Sequence, residues 1–266
     1  MAITTLAGAV SGRKRQWDFT KATPTMVAGR PASYFYSAGF PAAAAAPTPG
    51  IGGEVLTSYA GQLPFDNPVS GNSYLARLQL GCAIAGQLLL CDRLWHNSGI
   101  DVTSTAEQAF TGAAQIPARD MNGTNLGHGV FAGIEVSTAT GAGTPIATLK
   151  YTNQDGTMGQ TAITCQTLVA TSVAGTFYPF ALAAGDTGIQ KVESITLNAT
   201  WTSGTIHVVL YRPIAALESN FTNTTNMVDA ITGGFPRMYD NTVPFFIAKP
   251  SSTTMPLVGS YQISQG

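Results

Sequence analysis

Charge is what this sequence has least of. Only 10% of its 266 residues are Asp, Glu, Lys or Arg, against roughly 25% in an ordinary soluble domain. The surface must then be covered largely by Thr, Ser, Asn, Gln, Gly and Ala, which dissolve readily but repel neighbours weakly. Such a surface suits close packing in an assembly. With 13 basic and 14 acidic residues the net charge is -1, so no global field draws the chain toward nucleic acid or an anionic membrane.

Cysteine is scarce too. Cys82, Cys91 and Cys165 are too few and too irregularly spaced for a disulfide framework. Each lies in or beside a strand-like apolar run and reads as a buried thiol; a Cys82–Cys91 bridge is the alternative in an oxidising medium. Apolar runs are short, none approaching the roughly 20 residues that cross a bilayer. Met1 to Val10 is apolar, but Arg13-Lys14-Arg15 follows it instead of preceding it, the wrong order for a secretory signal. That segment is expected to be retained.

Catalytic signatures are missing as well. There is no Gly-x-Ser-x-Gly elbow, and His96, His128 and His207 stand far apart. His207 alternates with Ile206 and Val208, so it is expected on the outward side of its strand in a surface or interface role. His96 falls at a strand end, and His128 between Gly127 and Gly129 reads as loop support. Metal sites need short paired spacings, and no histidine pair accompanies Cys82 and Cys91; no metal and no cofactor is expected. Neither Gly50-Ile51-Gly52-Gly53 nor Gly141-Ala142-Gly143 precedes a Lys-Ser/Thr pair, so both are turns and not phosphate loops. Convergence of two carboxylates among Asp92, Asp101, Glu107, Asp120 and Glu135 is an enzymatic pattern that spacing leaves open.

What the sequence does have is a three-part layout: 1–70, 71–215 and 216–266. The first part is punctuated by Pro24, Pro31, Pro41, Pro47, Pro49, Pro64 and Pro68, each removing a ladder donor and favouring extended backbone. Its basic residues Arg13, Lys14, Arg15, Lys21 and Arg30 are balanced only by Asp18 within the first 30 positions. It also carries Trp17, Phe19, Tyr34, Phe35, Tyr36, Phe40, Tyr59 and Phe65, too large an apolar load for a disordered tail. Those aromatics need a surface, either the body of the same chain or a neighbouring subunit. The tract Ala42 to Ala46, flanked by prolines, reads as a linker.

The middle part breaks into short strand-like runs between turn residues. Val130, Ala132, Ile134 and Val136 alternate with Phe131, Gly133 and Glu135, a strand with one core face. Pro145 to Tyr151 and Thr157 to Cys165 flank Asp155-Gly156, the strongest short-range hairpin signal. Tyr74 to Leu80, Gln87 to Trp95, Thr176 to Leu182, Val192 to Trp201 and Thr205 to Arg212 complete eight strands, the last two joined by a hairpin-like Thr202-Ser203-Gly204. Ser104 to Ala114 is a short helix or a loop insertion. The expected fold is all-β: an antiparallel β-sandwich, an eight-stranded jelly roll by strand count, with extended N- and C-terminal arms. The last part, with Phe235, Tyr239, Phe245 and Phe246 and few charges, mirrors the first.

The strings Cys91-Asp92-Arg93-Leu94-Trp95-His96-Asn97-Ser98-Gly99-Ile100, Arg119-Asp120-Met121-Asn122-Gly123-Thr124 and Tyr151-Thr152-Asn153-Gln154-Asp155-Gly156 resemble tailed-bacteriophage virion structural proteins, mainly across the β body. The resemblance implies a non-enzymatic subunit of the capsid-decoration or cement type, on the capsid surface of a virion assembled in the host cytoplasm. Its partners would be the major capsid protein and neighbouring copies of itself, often as a trimer, with no membrane or nucleic-acid role. On this reading Arg13, Lys14, Arg15, Trp17, Phe19, Tyr34, Phe35, Tyr36 and Phe40 of the arm, and Phe235, Tyr239, Phe245 and Phe246 of the tail, bind partners. A tail, neck or fibre protein is the nearest alternative. From another class, a carbohydrate-binding or glycan-degrading β-sandwich would present Trp95 or Trp201 to solvent beside carboxylates.

Overall fold

The computed structural model describes residues 5, 7–8, 12–82, 84–219, 224–234 and 236–266. Among them run β1 (Arg13–Lys21), β2 (Ala32–Ser33), β3 (Gly39–Phe40), β4 (Glu54–Val55), β5 (Ser73–Cys82), β6 (Gly86–His96), β7 (Gln108–Ala109), β8 (Phe131–Thr138), β9 (Ala147–Asn153), β10 (Gln160–Thr164), β11 (Phe177–Ala181), β12 (Ile189–Leu197), β13 (Thr205–Ser219), β14 (Thr224–Asp229), β15 (Arg237–Met238), β16 (Pro244–Pro250) and β17 (Leu257–Gln265). The protein is all-β. Every one of the eight strands expected from pattern has its counterpart, in β5, β6 and β8 to β13.

The strands form two antiparallel sheets. A six-stranded sheet has the order β14-β5-β17-β1-β3, with β15 also on β5. An eleven-stranded sheet has the order β2-β16-β6-β13-β8-β11-β10-β9-β12-β7, with β4 on β6. The larger sheet curls on itself: Leu94, Ala132, Ile134, Val208 and Leu210 share one core with Leu149, Tyr151, Val192 and Ile195, although these strands lie far apart in its order. The result is a sandwich of the jelly-roll-like kind.

A second core lies between the six-stranded sheet and the other end of strands β6 and β13, with β16 beside them. Phe19, Leu78, Leu80, Tyr261 and Ile263 meet Leu88, Leu90, Leu217 and Phe246 there. Strands β6 and β13 therefore serve both cores. Their register shifts between Leu210 and Tyr211 and again between Pro213 and Ala215; such bulges twist a strand and let its buried side turn from one core to the next. Two glycines make room for aromatic rings against sheet backbone. A Cβ on Gly133 would sit 2.3 Å from the Phe177 ring, and one on Gly259 would sit 2.5 Å from Phe19.

The Asp-Gly hairpin forms, with Tyr151 opposite Gln160. Its turn is closed by Asn153, whose Oδ1 accepts the N–H groups of Asp155 at 3.0 Å and Thr157 at 2.9 Å. The hairpin expected at Thr202-Ser203-Gly204 does not form: β12 pairs with β9 and β7, and β13 with β6 and β8. Trp201 explains the difference. Fully buried, it donates its ring N–H to Val169 O and its backbone N–H to Val102 O, anchoring the link in the core as the chain crosses between leaves. The stretch Ser104 to Ala114 is a loop insertion carrying β7.

Among the described residues, the segments expected as arms contribute strands to the sheets. β1 pairs with β17 over its whole length, Arg13 opposite Gln265 and Lys21 opposite Leu257, while β16 pairs with β6. Cys82 and Cys91 are free buried thiols in different clusters, and Cys165 is exposed.

Candidate functional site

Where the few charges go is the first thing the geometry shows. Lys21, Asp92, Arg93, Arg119, Asp120, Glu135 and Arg212 are all buried. Arg93 and Glu135, on β6 and β8, form a bidentate pair at 3.1 and 2.7 Å with both side chains fully enclosed. The Arg93 guanidinium lies 4.1 Å from the centroid of Phe35 and 5.4 Å from that of Phe245, and Tyr36 donates its hydroxyl to Glu135 Oε2 at 2.7 Å. Burial by itself would raise the Glu135 carboxyl, but the Arg93 charge and hydrogen bonds from Arg93, Ser33 and Tyr36 outweigh it and hold the group low. Such a pair is retained only because both partners are present.

Alternation along β8 and β13 places Glu135 and His207 on the side away from the first core, where a solvated face is the ordinary expectation. The structure corrects this for His207, which is completely buried. The reason is a cover the local pattern cannot show: Phe35, Ala44, Tyr36 and Tyr59, from the proline-rich segment, pack on the outer side of the large sheet with Cys91, Val209 and Phe245. The middle of that sheet is buried on both faces.

His96 and His207 are fixed as neutral struts. Arg93 Nε donates to His96 Nδ1 at 3.1 Å, which leaves the proton on Nε2 to donate to Glu54 Oε1 at 2.9 Å. Burial first, then the Arg93 charge and His207, push the His96 ring down to about 2. His207 donates from Nδ1 to Asn97 O and accepts at Nε2 from Ser137, both at 2.7 Å; burial holds it below its ordinary value. Ser137 and His207 stand in the donor order of a nucleophile and its base, but the third group is a carbonyl and the imidazole is enclosed. His128, half-buried, has Nδ1 3.4 Å from Thr187 Oγ1.

The carboxylates singled out by sequence are committed one by one. Asp92 accepts from Arg119 at 3.0 and 3.2 Å and from Val243 N at 2.9 Å, and Arg212 lies 3.9 Å away. Asp120 accepts from the N–H groups of Asn122, Thr124, Gly127 and His128, organising its own loop. Asp101 binds Thr103, and Glu107 binds Lys150 and Ser194. Trp95 and Trp201 are both fully buried, which removes the aromatic platform a glycan-binding surface would use.

The arm and tail residues divide in two. Phe19, Tyr34 and Phe35 are 1% exposed, Phe245 2% and Phe246 1%. These are covered by their own chain, Phe19 packing at a tilt against Phe246 with ring centroids 4.7 Å apart. Tyr36 serves Glu135, as above. Trp17 is half-buried against Tyr261 at 5.6 Å, and the guanidinium groups of Arg212 and Arg237 lie 5.2 and 4.5 Å from the Tyr239 ring centroid. Arg15 lies 3.8 Å from Asp66. Arg13 and Lys14 occupy the first two positions of β1; their side chains lie outside the described residues, as does Phe235. Phe40 stays 57% exposed.

Phe40 points to the surface left uncovered. Across the six-stranded sheet the register runs Phe40, Thr20, Val258, Gly81, Thr225, with a second row Asp18, Ser260, Gln79, Met227. Val258 is 57% exposed and Met227 53%. An open hollow lies over Gly81 and Gly259. This face, with Asp18 its only charge in those two rows, is the candidate interface. Sequence reasoning named Phe40 but missed Val258 and Met227, whose signal was alternation within segments read as tail.

No family model matches the chain, and no curated protein matches it. Among solved structures it is similar to the crystal structure of infectious bursal disease virus VP2 subviral particle, at 10% identity and a TM-score of 0.20, covering 96% of this chain and 81% of that chain.

Proposed function

We propose that this chain is a non-enzymatic structural subunit of a virion, a capsid decoration or cement protein of a tailed bacteriophage that binds the major capsid shell and neighbouring copies of itself. The observation carrying this reading is the disposition of charge: a sequence already poor in ionisable groups draws seven of its 27 charged residues inside, among them the ion pairs Arg93–Glu135 and Arg119–Asp92. What remains outside is a broad sheet face with little charge to repel a neighbour. The resemblance of the β-body strings to phage virion proteins supports the same class. Enclosure of His96 and His207 and the commitment of Asp92, Asp120 and Glu135 to internal partners fit a scaffold better than a catalyst.

In this role the sandwich lies on the shell, and the exposed residues of the six-stranded sheet, Phe40, Val258 and Met227, make the contact. Burying them stabilises the complex by about 25 cal/mol per Å² of apolar area. Cosedimentation of the purified chain with empty particles lacking it tests the proposal. Saturable binding that raises the heat resistance of the particles, and that weakens in Phe40→Ser, is the expected result. A chain that ignores shells and instead binds tails, cells or polysaccharide overturns it.

A further inference from the structure

The six-stranded sheet has an unfinished edge. Ala22 donates its N–H to Ala38 O at 2.8 Å, in the register that sets Thr20 opposite Phe40. The even-numbered residues of β1 therefore turn their backbone groups toward the β3 side. But β3 covers that side only at Thr20 and Lys21. Among the described residues nothing pairs with the outward N–H and C=O of Gln16 and Asp18. At the other end Gly12 donates its N–H to Gly8 O at 2.8 Å. The open stretch runs from Arg13 to Phe19 and is centred on Gln16.

Exposed, unpaired strand edges are templates for another strand. We infer that β1 pairs antiparallel with β1 of a second copy of this chain about a two-fold axis at Gln16, joining two six-stranded sheets into one continuous sheet. This deepens the proposed function by naming its copy-to-copy contact, and it rests on reading the chain as an assembly subunit.

Three features of the edge select a second copy over another strand. The open stretch is symmetric about Gln16: an axis there sets Arg13 opposite Phe19, so the partner strand ends where β3 already occupies the edge. Hydrogen-bonding parity matches as well, since Gln16 faces Gln16, and Lys14 and Asp18 face each other, all with backbone groups aimed across the gap. Charge is self-complementary, because that register places Lys14 of each copy opposite Asp18 of the other, two opposite-charge cross-strand pairs. A closed two-fold contact also stops at two copies, where a head-to-tail contact would propagate. The other edge of the sheet is less available: at β14 the outward groups of Asp229 are taken by Gly233 N–H and the Thr232 hydroxyl. Three-fold assembly, expected from the phage resemblance, would then need a separate surface.

Sedimentation velocity of the full chain over a range of concentrations tests this. Wild type is expected to dimerise reversibly. Asp18→Lys, at an exposed position, sets like charges opposite each other at both ends of the pairing and should weaken the dimer about tenfold or more. Lys14→Asp combined with Asp18→Lys restores opposite charges and should recover it. Gln16→Pro removes an outward N–H at the axis, a substitution an edge strand tolerates, and should give a folded monomer. Met227→Lys, on the far edge of the same sheet, should leave the dimer unchanged. A wild type that stays monomeric at every concentration, a dimer indifferent to Asp18→Lys, or one broken by Met227→Lys overturns the inference. Shell binding is scored separately: a β1 dimer that ignores shells sinks only the proposed function, and a shell-binding monomer sinks only this contact.

Discussion

Leu149 and Leu78 are both fully buried, yet the chain reaches their two cores by different routes. Around Leu149 the strands are near neighbours in sequence: β9 and β10 form a hairpin, and β12 returns to the other side of β9. Around Leu78 the sheet is stitched from both ends of the chain, with β17 lying between β5 and β1. Closing a long loop costs entropy before any contact repays it, so the end-built sheet is expected to form after the locally connected core and to open before it.

Removing residues 257–266 breaks this comparison most directly, because it takes out β17 and leaves β5 and β1 each without their shared neighbour. The expected result is loss of the whole six-stranded sheet. Hydrogen exchange followed by mass spectrometry should show rapid labelling across β1 and β5 while β9 and β12 keep their protection. If protection disappears in both regions together, the two cores are one cooperative unit and the distinction fails.

A smaller effect strikes the element the two regions share. Arg93→Ala leaves Glu135 buried without its partner, which costs about 3–5 kcal/mol. Because β6 runs through both cores, urea melts should show both weakened. Replacing the pair together, Arg93→Met with Glu135→Leu, should recover most of the loss, since well-packed apolar groups often match a buried ion pair.

Side-chain truncation sharpens the order of formation. Leu149→Ala and Leu78→Ala should each cost about 2–5 kcal/mol, but the kinetics should differ. Loss of Leu149 should slow folding, and loss of Leu78 should mainly speed unfolding. Equal effects on the folding arm of the two chevrons would mean that the end-built sheet is already present in the transition state.

The same contrast explains what could be read in advance. All eight strands recognised from alternation and turn residues exist, and the Asp155-Gly156 hairpin pairs as its sequence requires, because those signals are local. β1 was also written in the sequence: Arg15, Trp17, Phe19 and Lys21 turn inward while Gln16, Asp18 and Thr20 are exposed. Its charge and the prolines that follow it made it look like a free arm. No local pattern shows that its neighbour is β17, at the opposite end of the chain. His207 failed for a related reason. Its strand alternates as a half-exposed strand would, and the layer that buries it comes from residues more than a hundred positions upstream. Of the candidate interface, Phe40 was legible as an aromatic with nothing local to cover it. Val258 and Met227 emerge only when the register brings β17 and β14 onto the same face.

The smallest expected effect concerns a group peculiar to the end-built region. Lys21 closes β1 with its ammonium donating to Pro41 O at 2.8 Å and Ser37 O at 3.1 Å, which ties the loop carrying Phe40 to the sheet. Burial lowers its pKa from 10.5 to about 8, so the carbonyls offset only part of the cost of enclosing the charge. Below pH 8 both folded and unfolded chains hold the proton, and that cost is fully present. Between about 8 and 10.5 the unfolded chain binds more protons than the folded one, and stability therefore rises with pH. Above 10.5 the gain is complete. Subtracting the Tm of Lys21→Met from that of wild type at each pH removes the contribution of other titrating groups. The difference should climb through this window; a flat difference would mean that the carbonyls balance the burial, and that Lys21 stabilises its loop equally in either charge state.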